Sequence, residues 1–165
     1  MSKSFYKKII VAINGSQSSI HAAMYAIMMA KSYNLALKVV YVVDTATIKY
    51  LTMNKFFITE EKEEFEKKLK IDGEHYLNSI EMLSVSKGIK IEKELRCGGI
   101  FNEILKVSEE FNSDLIILGC NESKSSKNDV HRFVLSSDQN EILSNSKCPV
   151  LIMQKQNIEE EFKIF

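Results

Sequence analysis

One proline, six glycines and no tryptophan occur among these 165 residues. So little proline and glycine leaves no low-complexity linker, no internal repeat is visible, and the chain reads as one domain. Net charge is missing as well. Lys+Arg and Asp+Glu each count 22, so there is no basic field to hold nucleic acid or an anionic membrane. No apolar run approaches the ~20 residues a membrane helix needs, and Met1-Ser2-Lys3-Ser4-Phe5 has no apolar signal core. The three cysteines, Cys97, Cys120 and Cys148, are too widely spaced for a disulfide framework and read as reduced thiols. A cytoplasmic protein is expected. The patterns GxxxxGK[ST] and GxGxxG are absent, which removes the phosphate-loop and dinucleotide-oxidoreductase readings. A phospho-receiver would want an aspartate after its third strand, where this chain has Arg96-Cys97-Gly98. His21, His75 and His131 fall in separate segments without a metal-type spacing.

The apolar content is ordinary, 45% against 27% charged, and it is organised. Ile9 to Ile13 is a continuous apolar run without alternation, the pattern of a strand covered on both faces. Asn14-Gly15 breaks it, and Ser16 offers an N-cap to a helix with apolar positions Ile20, Ala23, Met24, Ile27 and Ala30. Leu37 to Val43 is a second buried strand. Residues 46–58 keep no clean period and read as a packed connector in preference to a lid. A long charged helix follows from about Thr59 to Lys87, with Phe65, Leu69, Tyr76, Ile80 and Leu83 inward and Gly88 closing it. Ile89 to Arg96 alternates like an edge strand. Ile100 to Phe111 is a helix, and Leu115 to Leu118 a buried central strand. The polar stretch 121–129 leads to Ser136 and Gln139, spaced as a capping box for the next helix. Pro149 to Met153 is the last strand, with a tail of residues 156–165 beyond a domain of residues 1–155.

This β-α alternation implies an α/β fold: a doubly wound, five-stranded parallel sheet of order 3-2-1-4-5, helices on both faces. Asn14 and Gly119 then flank one crevice at the carboxyl ends of neighbouring strands, where open α/β sheets bind ligands. In that order the strands before Cys97 and Cys120 are three steps apart, about 14 Å, so a disulfide between them is not expected without large loop movement.

The opening strand with Asn14-Gly15-Ser16, the run Ser113-Asp114-Leu-Ile-Ile-Leu-Gly119, and Ser136-Ser137 followed by Asn145-Ser-Lys-Cys148-Pro149-Val-Leu-Ile-Met153 resemble the universal stress protein family. The resemblance spans Lys7 to about Lys155 and implies the adenine nucleotide alpha hydrolase-like fold. Many members of that family bind ATP through G-x2-G-x9-G-[ST] after the fourth strand. Gly119 matches the first glycine, but Glu122 stands at the second, Ser136 at the third, and Ser137 at the closing hydroxyl. Aligning from the far end puts Ser126 at the second glycine and leaves about four extra loop residues. Family aspartate at the end of the first strand is Asn14 here.

The resemblance places nucleotide-binding positions at Ala12, Ile13, Asn14, Ser16, Val42, Gly119, Cys120, Ser126, Ser136 and Ser137. By its place after Gly119, Cys120 is the best candidate for a reactive thiol, but it reads in preference as a small packing residue. ATP or another adenine nucleotide, with magnesium, is the implied ligand. Side chains in place of glycine obstruct close approach of backbone N–H groups to phosphate, so no cofactor is firmly assigned and no catalytic residue is expected. Two functions stay open: a non-catalytic stress-response module with a degenerate nucleotide site, or an ATP/AMP-binding switch with slow hydrolysis. A homodimer through Val150 to Met153 is expected, since an apolar edge strand invites pairing.

Overall fold

A computed structural model describes residues 4–56, 58–123 and 132–165. The elements run β1 (Lys8–Ile13), α1 (Gln17–Tyr33), β2 (Ala36–Asp44), α2 (Thr45–Met53), α3 (Thr59–Ser86), β3 (Glu92–Gly98), α4 (Ile100–Phe111), β4 (Leu115–Gly119), β5 (Asn121–Ser123), β6 (Arg132–Val134), α5 (Ser137–Asn145), β7 (Val150–Met153) and α6 (Ile158–Ile164). The main sheet has the order β3-β2-β1-β4-β7, and each of its neighbouring pairs is parallel. Counted without the β5–β6 ribbon, this is the 3-2-1-4-5 order expected from the alternation. The ribbon itself was not foreseen: two three-residue strands pair antiparallel, Asn121 with Val134 and Ser123 with Arg132, the first in the stretch read as polar and the second just beyond it.

The unbroken apolar strands serve two cores, because successive side chains leave a strand on opposite faces. Ile9, Val11, Leu37, Val39, Leu115 and Ile117 pack on one side with Ala23, Ile27, Leu77 and Ile80 of α1 and α3. Ile10, Ile116 and Leu118 pack on the other with Ile104, Phe111 and Ile142 of α4 and α5. Phe65, read as inward from its helical spacing, is 39% exposed; the inward stripe of α3 begins in earnest only at Leu69. Residues 46–58 hold a helix, α2, whose N-terminus is capped by Asp44. Ile48 is its one fully buried residue, with Leu51 and Thr52 half-buried, while Tyr50 and Met53 on it and Phe56 and Ile58 after it lie exposed. Among the described residues no helix is long and apolar enough to cross a membrane.

The two ends of β1 are set by different devices, and the crevice lies at the second. At the start of β1 the Asp114 carboxylate accepts the N–H groups of Lys7 and Lys8 at 2.8 and 2.9 Å, and Asp114 N–H donates back to Lys8 O. These backbone bonds hold the Asp114 carboxyl below its ordinary range. A depressed carboxylate stabilises the fold above the unfolded value of 3.8, and that stabilisation is lost as pH falls through the folded value. Asp114→Asn should therefore cost about 1 kcal/mol at neutral pH, discounted for solvent screening. It should also flatten the acid limb of a pH–stability curve measured by urea denaturation. At the far end, Gly15 takes φ +83° against the ring of Tyr76, which turns the chain from β1 into α1.

Candidate functional site

The carboxyl ends of β2, β1 and β4 open onto a cavity of ≈ 130 Å³. Its apolar wall is Ala12, Val40, Val42, Ile104, Leu118 and Ile142, and its polar rim is Asn14, Ser16, Ser18, Ser19, Ser136, Asp138 and Gln139. The volume lies below the ~300–1,000 Å³ of usual small-molecule pockets.

The rim is built by helix starts. Ser16 caps α1, accepting from Ser19 N–H at 3.2 Å, and its own N–H donates to Asn14 Oδ1 at 3.0 Å. Asn14 N–H donates to Ser19 Oγ at 3.2 Å, while Ser19 Oγ–H donates to Ser16 O at 2.8 Å. Across the cavity Ser136 caps α5 in a reciprocal box: its Oγ accepts from Gln139 N–H at 3.1 Å, and its N–H donates to Gln139 Oε1 at 3.0 Å. The Gln139 amide then donates to Gly119 O, which ties the start of α5 to the end of β4. Burial pushes the Asp138 carboxyl above its ordinary range, an N–H bond from Phe101 opposes this, and the nearby charges of Asp44 and Glu141 add to it.

Of the positions expected from sequence, Ala12, Ile13, Asn14, Ser16, Val42, Gly119 and Ser136 meet around this cavity. Cys120 and Ser137 do not line it. Alternation past Gly119 carries Cys120 away from the crevice into a separate groove with Gln17, His21, Phe133 and Met153. There it is 5% exposed, and burial raises its thiol pKa while Gln154 opposes the rise, the opposite of what a reactive thiolate needs. Ser137 is the first residue of α5 and is exposed outside the cavity wall. Ser126 lies outside the described residues.

Gly119 is present for a reason the glycine pattern did not announce. Its φ is not in the left-handed region. A Cβ at this position would lie 2.4 Å from Ser18 O and 2.8 Å from Ser19 N, both backbone atoms. The glycine lets β4 end directly against the first turn of α1. Asp138 and Gln139 line the cavity too, and neither was among the positions expected from sequence. Gln139 was visible as half of a capping box; nothing local showed that its amide would reach Gly119.

A polyphosphate with magnesium does not fit the described walls. Asp138 is the one carboxylate among them, and no group of three metal-type side chains occurs among the described residues.

Comparison with known proteins places the chain among relatives of one kind. The model of the universal stress protein family matches residues 5–154. Universal stress protein MJ0531 of Methanocaldococcus jannaschii is 30% identical over 153 residues, covering 93% of this chain and 85% of the relative. The structure of UspA from Lactobacillus plantarum superposes with a TM-score of 0.74 at 17% identity, over 92% of this chain and 99% of that one. A universal stress protein from Archaeoglobus fulgidus, solved in complex with dAMP, gives a TM-score of 0.62 at 15% identity, over 92% and 100% of the two chains.

Proposed function

Since the chain belongs to the universal stress protein family, we propose that it is a small stress-response module without catalytic machinery, its crevice a reduced nucleotide site. The observation that carries this reading is the closed set of hydrogen bonds around the rim. Asn14, Ser16, Ser19, Ser136 and Gln139 bond to one another and to local backbone. A phosphate would have to displace the Ser16 and Ser136 oxygens to reach the Ser19 and Gln139 N–H groups, and each such bond is worth about 1 kcal/mol net.

An adenine nucleotide remains the second reading, as a regulatory occupant and not a substrate. The flat apolar space between Val40, Val42, Ile104 and Leu118 favours it, and the dAMP complex of the Archaeoglobus fulgidus relative supports it. Calorimetric titration tests both. Magnesium-ATP should give no micromolar binding and no hydrolysis, whereas AMP should bind weakly. Micromolar magnesium-ATP, or nucleotide copurifying as excess absorbance at 260 nm in this tryptophan-free chain, would overturn the reduced-site reading.

The module is proposed to work as a homodimer. β7 is an edge strand, and Val150, Leu151 and Ile152 on it are only partly covered, which leaves apolar side chains and unpaired backbone at one place. Light scattering at tens of micromolar should report a dimer and Leu151→Lys a monomer; a monomeric parent chain sinks the idea.

A further inference from the structure

Three helices start at the crevice, and residues from the first turns of α1, α4 and α5 line it. Each start carries about half a unit of positive charge from aligned peptide dipoles, so their convergence favours an anion. Serine hydroxyls close two of them, Ser16 on α1 and Ser136 on α5. The third has no such group, because the cap residue of α4 is Gly99 and makes no side-chain cap bond. A carboxylate from a different helix stands near it: Asp138 of α5 lies by the Phe101 N–H and lines the cavity together with Ile100, the first residue of α4. Asp138 also sits in the first turn of α5. One carboxylate thus serves two helix starts.

We propose that Asp138 is the resident anion of the crevice, holding the place between α4 and α5 to which a ligand phosphate would be drawn, and that it selects against polyphosphates in favour of weakly charged ligands. The proposal rests on reading the crevice as a reduced nucleotide site, and it gives that reduction a cause. An entering phosphate must either take the Phe101 N–H from Asp138 or lie beside its negative charge. Asp44, at the end of β2, and Glu141, one turn along α5, are the charges Asp138 senses, and both add to the repulsion. A base-sized ring against Val42 and Leu118 meets neither obstacle.

Asp138→Asn tests this, because it removes the charge and keeps an oxygen to accept from Phe101. Wild type and variant are titrated calorimetrically with tripolyphosphate, ATP and adenosine, with folding confirmed by circular dichroism and thermal melting. ATP and tripolyphosphate should tighten by about tenfold or more, ~1.4 kcal/mol, while adenosine stays within about twofold. Asp138→Ser should behave as the asparagine variant does and replaces it if that chain fails to fold. Asp138→Glu retains the charge and should match wild type. A polyphosphate affinity unchanged in Asp138→Asn, or an equal gain for adenosine and ATP, overturns the role given to Asp138. Tight magnesium-ATP binding by wild type defeats the reduced-site reading instead, and the ratio between variant and wild type still judges Asp138.

Discussion

Gly119→Ala should lower stability by about 3 kcal/mol, the upper end of what overpacking a close contact costs, and the melting temperature by about 6–12 °C. The added Cβ would come within 2.4 Å of Ser18 O. Backbone atoms cannot rotate aside as a side chain does. Relief requires the first turn of α1 to move off the end of β4, and that turn carries the Ser16 cap and the bond from Asn14 to Ser19. Damage should therefore spread to the crevice rim, visible as faster amide exchange at Ser19 and Ile20. Gly88→Ala is the internal control. Its φ of +73° is unfavourable but no atom lies within 4 Å of the added carbon, so the loss should stay near the ~1–2 kcal/mol of a left-handed alanine. A Gly119→Ala chain that melts within about 2 °C of wild type would show that β4 and α1 separate at little cost. The glycine would then be free to be read as a phosphate-loop residue only.

The second large effect is expected where α6 runs along α1, from His21 against Glu159 to Lys31 over Phe165. α6 lays Ile158 and Phe162, 0% and 5% exposed, into the core shared with α1 and α3. Lys31 and Lys87 extend over the rings of Phe165 and Phe162. Truncating a buried phenylalanine costs about 3–5 kcal/mol when the surrounding structure stays in place. Here a shorter route exists, because a C-terminal helix can detach locally. Phe162→Ala should thus lose about 2–3 kcal/mol, set by the docking energy of α6, and deletion of residues 157–165 should lose little more. Hydrogen exchange distinguishes the two routes: amides of α6 should lose protection in Phe162→Ala while β1 and β4 retain theirs. Loss of protection throughout the sheet would show instead that α6 is part of the single cooperative unit.

Much of the fold was readable because local chemistry and global arrangement agree here. The apolar runs of β1, β2 and β4 are too long and too unbroken for surface strands. Ser16 and Ser136 cap the helices they precede. Short connections between alternating elements leave few topologies once right-handed crossovers are required. The misses have physical causes too. The β5–β6 ribbon rests on three cross-strand pairs with little periodicity to announce it. Phe65 sits on the first turns of α3, before that helix reaches the sheet, so helical spacing alone placed it inward. Cys120 follows Gly119 in sequence, but a strand sends consecutive side chains to opposite faces, and Cys120 took the side away from the crevice.

What the chain determined by itself is the order of its strands, the caps of its helices, and the pairing of Asn14 with Gly119 across one opening, since these follow from hydrophobic pattern and turn chemistry within short segments. What only tertiary structure decided is the chemistry of that opening. Asp138 meets Phe101, and Gln139 meets Gly119, only after α4, α5 and β4 are brought together, and α6 finds its place only on a finished α1. A cap within one helix is written in four residues. A carboxylate that closes a neighbouring helix depends on packing between segments that no local pattern records.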